Sequence, residues 1–238
     1  MDSETTTVDL DLFKQNWLTY KTIIDENYMF HREVIQATRQ CLSSYFGSDK
    51  IAVLDLGCGD ASNVAKTLEG FNVGFFCGYD LSAMALQLAE NNIAELTENY
   101  QLNCQDMFQG VGEKDNEFDL ILSSYSMHHF QADDKEALFG SVYGALKKGG
   151  VFVLVDTVRE ADESLDDYYD HYLGDVRQNW VALSQNEIER VCDHVRCSDF
   201  PENAQTLQQI AQAAGFGRQA VLAKHNWHQL VVFYKPTH

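Results

Sequence analysis

Apolar positions along this chain change their period as the chain proceeds. Between Phe13 and Phe46 they recur at spacings of three and four: Trp17, Tyr20, Ile23, Ile24 and Tyr28, then Val34, Ile35, Thr38 and Leu42. That spacing predicts helices with one buried face. Gly47-Ser48-Asp49 supplies a turn. From Ile51 onward, short continuous apolar runs alternate with helix-period stretches. Ile51–Leu56, Val73–Tyr79, Leu102–Met107, Phe118–Tyr125 and Val151–Asp156 read as strands buried on both faces. Ser62–Leu68, Ser82–Leu96 and Asp134–Leu146 read as helices, with Ser82 a plausible cap. Strand–helix alternation of this kind predicts a parallel, doubly wound sheet with right-handed crossovers.

The alternation breaks at residues 158–203. This stretch is acidic and aromatic, and it is too long for an ordinary connection. It contains Asp166, Asp167, Tyr168, Tyr169, Asp170, His171, Tyr172 and Trp180, followed by a helix-period run from Ser184 to Val195. A structured insertion over one end of the sheet accounts for it. Helix then returns over Gln205–Ala214, Gly215-Phe216-Gly217 turns, and two strands follow near Gln219–Ala223 and Gln229–Tyr234. The division expected is an N-terminal helical cap over 1–48 and an α/β domain over 49–238, with 158–203 as its insertion.

The candidate chemistry begins at Asp55-Leu56-Gly57-Cys58-Gly59, where a strand enters a glycine turn. Glycines there let the backbone bend sharply and approach a ligand closely. About 20 residues on, the second strand ends in Tyr79-Asp80, where a carboxylate can accept both hydroxyl protons of a ribose.

Taken in order, these motifs resemble those of class I S-adenosylmethionine-dependent methyltransferases of the small-molecule type. Asp55-x-Gly57-x-Gly59 is similar to the family's glycine motif, and Asp80 matches its ribose-binding acid. Cys104-Gln105-Asp106-Met107 resembles the segment whose acid meets the adenine amino group while the next residue lends a backbone amide. Phe118 through Phe130, with the pair His128-His129, resembles the fourth strand and its following loop. Leu146-Lys147-Lys148-Gly149-Gly150 and Ala214-Gly215-Phe216 resemble the turns before the fifth and sixth strands. The resemblance implies a Rossmann-like, mostly parallel seven-stranded sheet whose last strand is antiparallel. It also implies S-adenosylmethionine as methyl donor and S-adenosylhomocysteine as product. The cofactor contacts it implies are Asp55, Gly57, Cys58, Gly59, Asp80, Leu81, Asp106, Met107 and Ser124. Residues 1–48 and 158–203 lie outside it.

Three further groups are candidates on spacing and composition. Tyr28, His31 and Arg32 share one face of a helix, which would let Tyr28 or Arg32 meet the cofactor's carboxylate and let His31 act in catalysis. His128 and His129 follow the fourth strand, where an imidazole could take a proton from the acceptor. Their order is left open, with His129 slightly favoured for packing and His128 for the cavity. Tyr168, Tyr172 and Trp180 form either the insertion's own core or a substrate cage, and a cage with nearby carboxylates suits a cationic amine.

Composition narrows the partners. With 36 acidic against 17 basic residues the formal net charge is -19, and no basic run exceeds Lys147-Lys148. Nucleic acid and anionic membrane are therefore disfavoured. The excess charge reads as a solubility device, or more weakly as a means of gathering a cationic substrate. The six cysteines lack a CxxC pair, and the dispersed histidines lack metal-ligand spacing, so reduced thiols and no metal site are expected. The acidic, Thr-rich Met1–Asp11 is unlike a signal peptide and no apolar run reaches membrane-span length, which together predict a cytoplasmic protein; either a monomer or a homodimer is compatible with the sequence. Three rivals remain: a nicotinamide oxidoreductase, disfavoured by Ser62 where a third glycine is expected; a non-catalytic S-adenosylmethionine sensor or partner subunit; and a methyltransferase acting on protein.

Overall fold

The computed structural model describes residues 17–238. The reading of Met1–Asp11 therefore lies outside the described residues. The chain first forms a helix over residues 17–25 (α1), then α2 (His31–Phe46). Strand β1 (Ile51–Leu56), α3 (Ser62–Leu68), β2 (Val73–Asp80), α4 (Ala83–Ala94) and β3 (Tyr100–Cys104) follow. Next come α5 (Met107–Gly112), β4 (Phe118–Ser124), α6 (Ala132–Ala145) and β5 (Leu146–Thr157). The insertion is two helices, α7 (Leu165–Asn179) and α8 (Gln185–Ser198), before α9 (Ala204–Ala214), β6 (Arg218–His225) and β7 (His228–Tyr234).

The seven strands lie in the order β3-β2-β1-β4-β5-β7-β6. Neighbours among the first five pair in parallel, and β7 runs antiparallel to both β5 and β6. Because successive side chains point to opposite faces, each central strand feeds two cores. Val53, Leu120, Val151 and Val153 pack with Val34 and Leu42 of α2 and Leu68 of α3. Leu54, Leu56, Ile121, Phe152 and Leu154 pack with Leu138, Phe139 and Val142 of α6 and Leu207 and Ile210 of α9. Asp55 shares the face of Val53 and so points toward the α2 layer.

The cap expected at Ser82 is present, the helix expected from Ser184 is capped by that residue, and Ser164, not singled out from sequence, caps α7, whereas α3 and α6 start without a side-chain cap. Ser82 accepts the Ala85 N–H, and Ser164 and Ser184 close capping boxes with Asp167 and Glu187. Some boundaries move. The third strand ends at Cys104, because Asp106 accepts from the Phe108 and Gln109 amides and starts α5 at Met107. The fifth strand begins at Leu146 rather than Val151, with a register shift between Phe118 and Leu120 that absorbs the glycine turn.

The insertion has a core of its own in Tyr168, Tyr169, Tyr172, Leu173, Val176, Trp180, Ile188 and Cys192. Ile23 of α1 joins that cluster, while Tyr20, one turn earlier, faces the sheet and lines the cleft beside the glycine turn. Helix α1 thus bridges the insertion and the cleft at the carboxyl ends of the strands.

Candidate active site

The glycine turn is fixed by backbone hydrogen bonds. The amides of Gly57 and Cys58 both donate to the Tyr79 carbonyl at 2.9 and 3.0 Å. Gly57 has φ +72°, and a Cβ there would lie 2.7 Å from the Ser126 Cβ. Ser126 is itself held, donating to the Leu56 carbonyl at 2.9 Å and lying 2.7 Å from the Ser123 hydroxyl. The turn therefore admits no side chain at position 57. Gly59, at φ +54°, faces open space. Asp80 staples this turn to the next: one carboxylate oxygen accepts the Gly59 N–H and the other the Ser82 N–H, each at 2.8 Å. Each oxygen keeps a second lone pair.

Beside the turn lies a narrow cavity of about 70 Å³. Its walls include Tyr20, His31, Asp55, Gly59, Asn63 and Ser124. Asp55 is 4% exposed, and burial, followed by the neighbouring Asp80, pushes its carboxyl up to about 7. Burial, followed by the carboxylates of Asp60, Asp55 and Asp80, likewise holds the Tyr20 hydroxyl well above its ordinary range. Tyr20 is 37% exposed on its helix, so it is the hydroxyl end that reaches inward. Burial, followed by Lys66, lowers His31 to about 4, so its imidazole is neutral at pH 7. The amide nitrogen of Asn63 lies 3.4 Å from His31 Nδ1. The other atom of each group, His31 Nε2 and Asn63 Oδ1, is buried with no hydrogen-bond partner among the described residues. Buried polar atoms without partners are costly, and a ligand with both donors and acceptors would satisfy them.

A second cavity, of about 220 Å³, opens between the insertion and the β6–β7 hairpin. Tyr28, Phe30, Trp180, Trp227, His228 and Asp175 contribute to its walls. Tyr28 stacks on Trp180 with centroids 5.1 Å apart. His228 packs edge-on against Tyr125 at 5.6 Å, and Tyr125 in turn against His31 at 5.1 Å, so a string of rings joins the two cavities. Burial lowers His228 to about 3, and its Nδ1 has no partner among the described residues.

The structure rearranges several expected positions. Tyr28 faces the insertion, where its hydroxyl accepts the Ala182 N–H at 2.8 Å, rather than the cofactor cleft. The Arg32 guanidinium donates to the Asp25 carbonyl, which turns it away from the cleft as well. Leu81 is 74% exposed, and Met107 is buried beneath the adjoining core. Tyr168 is fully buried and stacks on Tyr172, so these two and Trp180 serve first as the insertion's core, with Trp180 also at the cavity wall. Of the histidine pair, His128 is the buried member and His129 the half-exposed one. His128 bonds Asp156 through Nδ1 to Oδ1, and its backbone N–H donates to Oδ2 at 3.0 Å. Burial pulls the His128 pKa down, but Asp156 and, after it, Asp199 together outweigh burial and the net shift is upward. Its Nε2 faces Asp199, 3.6 Å away, instead of either cavity.

The sequence reading missed Tyr20, Asn63, Tyr125, Asp156, Asp199 and His228. Asp156 had a signal, since it ends a buried apolar strand as Asp80 does. The rest had none, because each is brought in by tertiary packing.

Comparison with known proteins agrees with this geometry. Residues 53–150 match the methyltransferase domain family. An uncharacterized methyltransferase of Anoxybacillus flavithermus is 29% identical over 66% of this chain and 72% of its own length. A phosphoethanolamine N-methyltransferase of Plasmodium falciparum is 25% identical over 70% of this chain, which spans 61% of that relative. The structure of a cyclopropane synthase from Mycobacterium tuberculosis superposes with a TM-score of 0.57 at 14% identity, covering 85% of this chain and 82% of the other. The matched domain and these relatives show that the chain carries an S-adenosylmethionine-dependent methyltransferase domain. The methyl donor of this family is S-adenosylmethionine. No helix among the described residues is long and apolar enough to cross a membrane.

Proposed function

We propose that this methyltransferase acts on a small amine held in the aromatic cavity beside His228. The observation that carries this reading is the composition of that cavity. Tyr28, Phe30, Trp180 and Trp227 surround a space that also contains the Asp175 carboxylate. Aromatic faces and a carboxylate favour an ammonium or alkylammonium group. The relative named for phosphoethanolamine N-methylation supports an amine acceptor by analogy.

Bound S-adenosylmethionine supplies a sulfonium-activated methyl group, a strong electrophile that needs no further activation. The residues of the cleft suit its parts. Asp55 and Asn63 Oδ1 offer negative charge and an acceptor to an ammonium. His31, with its proton on Nε2, offers a donor to a carboxylate. Asp80 keeps lone pairs for ribose hydroxyls beside the glycine turn. The Asp106 oxygen that caps α5 is engaged by the Phe108 and Gln109 amides, leaving its other oxygen to meet an amino group. Catalysis then rests on alignment and exclusion of water. The bound ammonium first loses a proton to water; the freed nitrogen lone pair then bonds the methyl carbon as the carbon–sulfur bond breaks to a neutral thioether, and the product is a methylated ammonium of the kind the cavity favours. His228 Nδ1, neutral at physiological pH, serves as an acceptor that orients an N–H of the nucleophile. The balance of 36 acidic against 17 basic residues supports the further reading of a cytoplasmic enzyme of small metabolites without nucleic-acid partners, and we propose that it acts as a monomer or homodimer.

The test is a survey of acceptors with labelled donor: small primary and methylated amines against phenols, thiols, proteins and RNA. Turnover is expected with amines. Trp227→Ala and Asp175→Asn should raise KM at least tenfold with kcat changed less. Turnover confined to phenols or macromolecules would overturn the reading, and cofactor binding without turnover on any class would favour a sensor.

A further inference from the structure

We propose that His128, His129 and Asp199 form a binding site for a divalent transition-metal ion of the zinc type, at the junction of the insertion and the sheet. One ligating atom of each residue lies within 4.8 Å of the others. Asp199 Oδ1 is the centre of the group. His129 Nδ1 is 3.3 Å from it, His128 Nε2 3.6 Å, and His194 Nε2, on α8, 3.9 Å. Nitrogen and oxygen ligands about 2.0–2.2 Å from a tetrahedral zinc are separated by about 3.3–3.6 Å from one another. The distances from His129 and His128 to Asp199 fall in that range, and the two histidine nitrogens lie within 4.8 Å of each other.

The independent observation is the state of Asp199 itself. It is 4% exposed, yet its Oδ1 has no hydrogen-bond partner among the described residues. It also caps the carboxyl end of α8, where the helix dipole disfavours an anion. The nearby cations are engaged elsewhere. Lys135 donates to the Phe200 carbonyl and to Glu202, while Arg159 donates to the Pro201 and Glu163 carbonyls and pairs with Glu202. A carboxylate so buried requires positive charge, and the groups that face it are imidazoles.

The surroundings also match what metal-bound histidines need. A ligating imidazole donates its other N–H to a carboxylate or carbonyl, which fixes the tautomer and aims the lone pair. Asp156 does this for His128, holding the proton on Nδ1 and leaving Nε2 free toward Asp199. His129 Nδ1 is 3.0 Å from the Ser198 carbonyl and would exchange that contact for the ion. The backbone is already joined on the other side of Asp199, where the Phe200 N–H donates to the His128 carbonyl at 2.7 Å. An ion here would fasten the end of α8 to the loop after β4 and so set the insertion over the cleft. Two imidazoles and a carboxylate suit zinc, cobalt or iron(II) rather than magnesium or calcium.

The test is titration of the chelator-treated full chain with Co²⁺, followed by its visible ligand-field absorption and by displacement with Zn²⁺. The expected result is one ion per chain, with binding at least 100-fold weaker in Asp199→Asn and in His129→Ala. His129 is half-exposed, so its replacement should leave the thermal transition of the ion-free protein in place. His171→Ala, which removes the exposed pair with Glu163 on α7, should bind as the parent does. No ligand-field bands in the parent, or equal binding in His129→Ala, would overturn the proposal. Equal losses in His171→Ala would show diffuse surface binding and overturn it too.

Discussion

Asp156 holds His128 by two of its groups at once: one carboxylate oxygen takes the ring Nδ1 and the other the backbone N–H at 3.0 Å. Both residues are buried. The end of β5 is thereby tied to the loop after β4, across the strand pair whose carboxyl ends border the cleft. Truncating one partner of a buried, hydrogen-bonded charge pair strands the other. Asp156→Ala should therefore destabilise the chain by about 3–5 kcal/mol. Urea denaturation measures this, and a loss under about 1 kcal/mol, the range of an exposed pair, would mean that the pair is not holding the loop.

Gly57 and Gly59 separate the steric and conformational costs of the turn. Both have positive φ, but a Cβ at Gly57 meets the held Ser126 at 2.7 Å while one at Gly59 meets nothing within 4 Å. Gly59→Ala should cost about 1–2 kcal/mol of backbone strain, and Gly57→Ala clearly more. Thermal denaturation of the two variants gives the order directly. Equal losses would contradict the close approach at Gly57.

Asp55 gives the site a pH dependence whose sign can be worked out. Its folded pKa, about 7, lies above the ordinary 3.8, so between those values the unfolded chain binds fewer protons than the folded one. Stability contributed by this group is present at low pH and is lost as pH rises toward 7. At about 1.4 kcal/mol per unit, the full penalty above pH 7 is at most about 4 kcal/mol. Asp55→Asn should thus stabilise the ligand-free chain at pH 8 and do little at pH 4. A ligand ammonium beside Asp55 favours its ionised form, so binding should release a proton near pH 7. Calorimetry in buffers of different ionisation enthalpy detects that release, and its persistence in Asp55→Asn would assign it elsewhere.

The parts legible in the sequence were those written in local patterns. Continuous apolar runs such as Ile51–Leu56 gave the parallel strands, and Ser82 and Ser184 gave helix starts, because caps and strand periodicity depend on near neighbours. The glycine turn and Asp80 could be placed in one cleft because a strand–turn–helix unit brings them together by itself. Tyr28 and Arg32 could not be assigned correctly from helical spacing. Spacing says that they share a face, but not that Trp180 and the Asp25 carbonyl compete for them. His128 was legible as a position after β4, yet its partners Asp156 and Asp199 come from strand order and from the insertion. His228 reached the cavity only because β7 runs antiparallel beside β5, pairing it with Thr157.

The central claim is that the cleft formed by Gly57, Gly59, Asp55 and Asp80 binds the methyl donor. Calorimetric titration with S-adenosylmethionine and with S-adenosylhomocysteine tests it most directly. The account predicts one site per chain with Kd in the micromolar range, roughly -8 kcal/mol. Asp80→Ala should weaken it by about 1.5–3 kcal/mol through loss of bonds to a charged group. Absence of heat with either ligand, or an Asp80→Ala variant that binds like the parent, would contradict it.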